Sequence, residues 1–168
     1  QITSAVGYDR TVLPSGVRVV TEAMPTALTA AVGVWVDAGS RDEAPGEGGI
    51  THFLEHMVFK GAGGRSARAL SEAIEDVGGE LNAYTTKEKV CFHASVLGVH
   101  FEKAAELLSD ITFHSIFPEK QIERERDVIL EEMAMYYDSP EDAIQDDFDE
   151  LVFPNHALGG NILGTTET

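Results

Sequence analysis

Cysteine is almost missing from this chain of 168 residues. There is one, Cys91, so no internal disulfide can staple the fold, and a core must come from apolar packing. Basic residues are also scarce: 12 Lys and Arg stand against 29 Asp and Glu, a formal charge of −17. A surface of that sign repels phosphate backbones and argues against a nucleic-acid partner. It suits a basic ligand drawn in by the field. No hydrophobic run approaches the roughly 20 residues that a membrane span needs, and the N-terminus lacks a basic-then-apolar export leader. Internal repeats and low-complexity linkers are absent as well. With its lone cysteine expected in a strand as packing rather than as a nucleophile, the chain reads as a protein of a reducing compartment.

What is present is enough for one domain with a real core: 43% of the residues are hydrophobic. Val17 to Met24 and Thr29 to Asp37 are β-branched and apolar and predict two strands, joined through Pro25-Thr26 as a hairpin. Gly39 to Gly49 predicts a polar loop and Ser66 to Val77 a Ser-capped helix ending at Gly78-Gly79. Glu80 to Thr86 and Lys89 to Leu97 predict a second strand pair, with Val90, Phe92, Ala94 and Val96 alternating. Helices are expected over His100 to Phe117, Glu119 to Tyr137 and Glu141 to Phe153, the acids of the last forming a solvated face. Counting a helix that follows Gly49, the order ββααββααα predicts an α+β fold, a mainly antiparallel sheet covered by helices. Gly61-Ala62-Gly63-Gly64 lacks the ending of a phosphate loop and reads as a turn. His93, His100, His114 and His156 have no ligand-spaced partner.

The helix after Gly49 carries the chemistry. His52-Phe53-Leu54-Glu55-His56 is a His-x-x-Glu-His pattern, the inverse of the common zinc-protease His-Glu-x-x-His. Histidines four apart share a helix face and can share one metal ion, and a glutamate beside them can move a proton to or from water. At about 100° per residue, His52, Glu55 and His56 fall in one arc, with Ile50, Phe53, Leu54, Met57 and Val58 as an apolar back. Lys60-Gly61 ends the helix with a cation and a glycine. A competing reading is a solvated face that happens to hold two histidines.

A catalytic zinc keeps three protein ligands, so a third is needed. The 119–137 helix turns Ile122, Ile129, Met133 and Tyr136 inward. With Ile122 at zero, Glu132 falls at about 280° and Glu125 at about 300°, flanking the inward arc, whereas Glu131 falls at about 180° and points away. Glu132 is therefore expected as the third ligand of one zinc ion per chain. Glu125, two turns earlier, is expected as its supporting carboxylate. Glu55 is expected near the metal as catalytic base without binding it.

Four words in order carry a resemblance: 39–43 (GSRDE), 49–61 (GITHFLEHMVFKG), 78–85 (GGELNAYT) and 125–132 (ERDVILEE). Over most of its length the chain resembles the pitrilysin-type inverted-zincin peptidases, in the branch of the mitochondrial processing peptidase beta subunit and its bacterial likenesses. The resemblance implies zinc at His52, His56 and Glu132, an assisting role for Glu125, and an edge strand that receives an extended peptide, with Asn82 binding its backbone and Ala83 offering main-chain hydrogen bonds. It also implies a second homologous half or partner subunit across a chamber, so that residues 1–168 are expected to be an N-terminal catalytic domain cut short. Ala157, Gly160 and Asn161 depart from the family pattern, where Pro, Arg and Pro are frequent. The leading expectation is a zinc endopeptidase acting on extended, preferably basic, peptides or presequences, in a bacterial cytoplasm or, alternatively, the mitochondrial matrix. The competing class is a non-catalytic structural or peptide-binding subunit of a processing-peptidase-like complex, against which the intact motif argues.

Overall fold

The structure is a computed structural model that describes residues 7–168; the first six residues, where no export leader was expected, lie outside the described residues. In chain order the elements are β1 (Tyr8–Val12), β2 (Arg18–Glu22), β3 (Thr29–Val36), α1 (Ile50–Met57), β4 (Gly61–Ala62), β5 (Arg65–Ser66), α2 (Ala67–Glu75), β6 (Glu80–Thr85), β7 (Val90–Leu97), α3 (Phe101–Phe113), α4 (Glu119–Tyr137) and α5 (Pro140–Val152).

The centre is a three-stranded antiparallel sheet in the order β3-β7-β6. β7 lies between two partners because its alternation supplies a fully apolar face: Val90, Phe92, Ala94 and Val96 are all buried. α3 covers that face with Ala104, Leu107, Leu108 and Ile111, and α2 adds Leu70 and Ile74 to the same core. Ser66 caps α2, its side chain accepting from the Ala69 N–H at 3.3 Å, as the sequence predicted. Cys91 is buried and unbridged, and burial pushes its thiol pKa up. The fold is α+β with antiparallel sheets, as expected. No helix of the described residues is long and apolar enough to cross a membrane.

Four local expectations are corrected. The strand expected over 17–24 does not form a hairpin with the one over 29–37: β2 pairs with β1, a strand not expected from the sequence, and β3 pairs with β7. The run that ends β2 is exposed on both faces, whereas β3 can add its Val32 and Val34 to the buried face of β7, and that burial decides the partner. The helix expected to run to Phe117 stops at Phe113. Ser115 there makes a β-bridge with Ala62, and the Ile116 N–H donates to Gly61 O at 2.8 Å, so the 61–66 hairpin captures the chain before Pro118. The apolar back of α1 is divided: Met57 and Val58 are buried, but Ile50 is 56% and Leu54 39% exposed, because α1 packs inward along its histidine side, against α4 and β6. The acids of α5 are not all solvated: Lys87 pairs with Asp149, and Asn161 Nδ2 donates to Asp146 at 2.6 Å. Burial leads the causes that raise the Asp146 carboxyl above its ordinary pKa.

The core assignment makes a direct stability prediction. Leu107→Ala, at a fully enclosed position on α3, should cost about 2–5 kcal/mol in urea unfolding. Leu151→Ala, on α5 at 80% exposure, should stay within about 0.5 kcal/mol of the parent. Equal losses would mean that α3 does not organise the core.

Candidate metal centre

α1 presents its histidines toward α4, and the geometry follows from the faces the two helices bury. Ile129 and Met133 turn α4 inward, which brings Glu132 beside them to the mouth of the α1–α4 contact. His52 Nε2 lies 3.8 Å from Glu132 Oε1, and His56 Nε2 lies 3.5 Å from Glu132 Oε2. The two imidazoles meet edge to face, 4.8 Å between centroids. One donor atom from each of His52, His56 and Glu132 lies within 4.8 Å of the others.

Both separations are longer than a hydrogen bond; the 3.5 Å one matches two ligands of a single ion and the 3.8 Å one is slightly wider. Two ligands at about 2.0–2.2 Å from a tetrahedral ion stand about 3.3–3.6 Å apart, whereas a nitrogen–oxygen hydrogen bond closes to about 2.9 Å. His52 is only 8% exposed. Burial, the largest influence, lowers its pKa below the ordinary imidazole value, against the nearby carboxylates of Glu132, Glu55 and Glu43 that raise it. The neutral ring so favoured is the form with a lone pair to give.

Glu125 is 7% exposed. Its Oε2 lies 3.3 Å from His56 Nδ1, and its Oε1 receives Lys60 Nζ at 2.7 Å. The contact to Nδ1 leaves Nε2 of His56 for the side facing Glu132, the arrangement by which a carboxylate orients a ligating histidine. Glu55 is partly buried, and its carboxylate enters no hydrogen bond or ion pair among the described residues. Glu131 is exposed.

The strand expected to receive a peptide is β6, and it is a sheet edge bounded by α1. Asn82 is exposed on it, opposite His93 of β7, and Ala83 lies opposite Phe92. Asn82 Oδ1 accepts the Ala83 N–H at 2.8 Å. Beside this edge is a groove of about 390 Å3 whose lining includes Phe59, Leu70, Ser71, Ile74, Glu75 and Leu81.

Two residues at the site escaped sequence reasoning as participants. Lys60 was read only as a helix-ending cation, although its spacing of four from His56 places it over the same face. Glu43 accepts hydrogen bonds from the Gly49 and Thr51 N–H groups at the start of α1. It lies too far upstream for the usual capping patterns, and no local signal marks it. Of the other histidines, His156 accepts from the Leu158 N–H at 3.1 Å, and His114 faces Asp110 at 3.7 Å; neither approaches a ligand set.

Comparison with known proteins places the chain in a family. The chain is 46% identical over 154 residues to an uncharacterized zinc protease of Bacillus subtilis, covering 92% of this chain and 38% of that protein. It is 47% identical over 166 residues to a probable mitochondrial-processing peptidase subunit beta of Arabidopsis thaliana, covering 99% of this chain and 31% of that protein. The chain thus spans between 31% and 38% of the length of these relatives. Among solved structures, a protease from Helicobacter pylori superposes with a TM-score of 0.89 at 24% identity, over 95% of this chain and 39% of that one. A peptidase M16 inactive domain from Pseudomonas fluorescens superposes at 0.85 and 15%, over 94% and 38%; at such identities the likeness is one of fold. The family described as Insulinase (Peptidase family M16) matches residues 18–166, and the chain belongs to that family.

Proposed function

We propose that this chain is the zinc-binding catalytic domain of an endopeptidase that cleaves extended peptides. The observation that carries the reading is the convergence of one donor atom each from His52, His56 and Glu132 to within 4.8 Å of one another, close enough for one ion to gather them, with Glu55 between the two histidines in sequence and free of other partners among the described residues. The residues fit zinc in type as well: two imidazoles and a carboxylate leave a fourth position open.

Bound zinc would supply Lewis acidity to a scissile carbonyl and to water. The chain's own groups do the rest. Glu55 takes the proton of the attacking water and returns it to the leaving amine. Glu125 holds His56 through Nδ1, and Lys60 balances the buried carboxylate. A peptide enters as an added strand along β6, where it would displace Asn82 Oδ1 from the Ala83 N–H and lay a side chain toward the neighbouring groove. The relatives' names, zinc protease and processing peptidase, support the class. Their greater length supports a longer protein in which a second homologous half or a partner subunit closes over the peptide. A bacterial cytoplasm is the proposed location, with the mitochondrial matrix as the alternative.

Metal analysis of the full-length protein should find about one zinc per chain, as for a mononuclear catalytic site. His52→Ala should lose it. Glu55→Gln should keep the zinc and lose peptide hydrolysis by at least about 100-fold, the lower range for a general base. Loss of zinc in Glu55→Gln would make Glu55 a ligand and overturn its assigned role; full activity in that variant would overturn Glu55 as the base, and only a parent protein that binds zinc without cleaving peptides would leave the non-catalytic reading standing. Because imidazoles must be neutral to bind, zinc affinity should weaken as pH falls through the histidine range.

Lys60→Met should cost about 3 kcal/mol in chemical denaturation, since it leaves the buried Glu125 carboxylate with His56 alone. An unchanged midpoint would show that the ion pair contributes nothing net. Preference for basic peptides, which rests on the charge of −17, should weaken steeply with added salt. Salt-independent affinity would remove that basis.

A further inference from the structure

α1 begins without a side-chain cap of its own. Its N-cap is Gly49, at φ 89°, and the first amides of a helix need partners from outside it. One carboxylate takes two of them: Gly49 N–H donates to Glu43 Oε2 at 2.9 Å, and Thr51 N–H donates to Glu43 Oε1 at 2.8 Å. The Ile50 N–H between them goes to Glu47 O at 3.1 Å. A negative charge at this end also complements the helix dipole. Thr51 is the residue before His52, so the grip falls one residue from the first proposed ligand.

Glu43 is itself anchored, and to the sheet. The turn Ser40–Asp42 precedes it, closed by the Gly39 N–H donating to Asp42 Oδ2 at 3.0 Å. Ser40 N–H donates to Thr86 O at 3.3 Å and Arg41 N–H to Lys87 O at 3.0 Å, while Arg41 pairs with Glu88. Thr86 follows directly on Thr85, the last residue of β6. On the other side, a Cβ on Gly49 would stand 2.5 Å from Leu163 O, so only glycine lets the 163–164 backbone press on the start of α1. The helix is thus clasped between the β6–β7 turn and the distal tail, and Glu43 is the side chain that joins the turn to it.

We propose that Glu43 is a positioning residue for the metal centre: its two-pronged hold on α1 fixes where His52 and His56 meet Glu132 and how the pair stands to the β6 edge. The proposal rests on the zinc reading above, but its failure is separable from it. Glu43 lies outside the ligand cluster and touches neither histidine by hydrogen bond, so it acts through the backbone of α1.

The test uses full-length protein with Glu43→Ala and Glu43→Gln. Amide hydrogen exchange is followed in metal-free protein, zinc affinity by competition with a chelator, and kcat and KM with a model peptide. In Glu43→Ala, the Gly49 and Thr51 amides should exchange at least about tenfold faster while the β7 amides keep their protection, and zinc affinity should fall about tenfold, the scale seen when a supporting partner of a metal ligand is lost. kcat should fall with KM nearly unchanged. Glu43→Gln keeps one acceptor oxygen and should fall between; it carries the same readouts if Glu43→Ala does not fold. Parental zinc affinity and kcat in Glu43→Ala would overturn the proposal. So would loss of β7 protection in parallel with zinc affinity, which would make Glu43 a general stabiliser. A parent protein that takes no zinc defeats the metal reading itself; a parent that binds it beside a variant that binds it equally well defeats only this inference.

Discussion

The meeting of α1 with α4 is the contact on which the site depends. His56 and Glu132 are 76 positions apart in sequence, yet their side chains approach within 3.5 Å. Nothing local enforces that distance. It exists because Met57 and Val58 commit one end of α1 to the core, and Ile129 and Met133 commit the middle of α4. The cost is polar burial: His52 and Glu125 are the two buried polar or charged side chains among the described residues. Burying such groups is unfavourable unless they are paired. Glu125 is paired on both oxygens, by His56 and Lys60. His52 has no partner for Nδ1 among the described residues and adapts instead by favouring its neutral form. One buried residue meets the low-dielectric surroundings by pairing and the other by giving up charge.

Local patterns in the sequence carried the helix of His52 and His56, the inward face of α4 and the alternation of β7, because each is a periodicity within one element. Glu132 was separable from Glu131 by about 100° of helical phase alone, and the two differ in exposure as that phase requires. What was not legible is what depends on a second element. β2 and β3 both read as strands, but the choice between pairing with each other and pairing with β1 and β7 is made by burial on the far side of the chain. Ile50 and Leu54 looked like core because their neighbours on the helix are apolar, whereas α1 packs along its histidine side. The acids of α5 looked uniformly solvated because Lys87 and Asn161, which meet two of them, lie 62 and 15 residues away along the chain. Glu43 offers no capping pattern, since its cap crosses a glycine-rich loop in which the first donor lies six positions beyond the acceptor.

Fold likeness does not by itself argue for catalysis. A domain described as inactive superposes on this chain with a TM-score of 0.85, so the sandwich of sheet and helices is compatible with either state. Function lives in side chains placed on such a frame. What argues for catalysis in this chain is the grouping of two imidazoles and a carboxylate that could hold a metal ion, with a carboxylate at Glu55 that is unengaged among the described residues. The frame supplies position; the four residues supply the chemistry proposed for it.

The sheet edge gives that chemistry a direction. Unpaired strand edges invite association and are usually short, charged or covered. β6 runs for six residues beside α1, with Glu80 and Asn82 exposed along it, and Asn82 ties back the Ala83 N–H with its own side chain. A side-chain hydrogen bond of that kind satisfies the amide without closing the edge, since an incoming main-chain carbonyl can replace it one for one. Under the proposed function an extended peptide would dock there, because a strand presents its carbonyls in register with the spacing of a sheet edge. Under the proposed function, Glu43 couples peptide binding to metal binding. It rests on the turn that ends this edge and grips the helix that bears the histidines. Edge and metal site would then share one rigid support, and a peptide bound along β6 would be held at a constant offset from the catalytic group without the helix having to move.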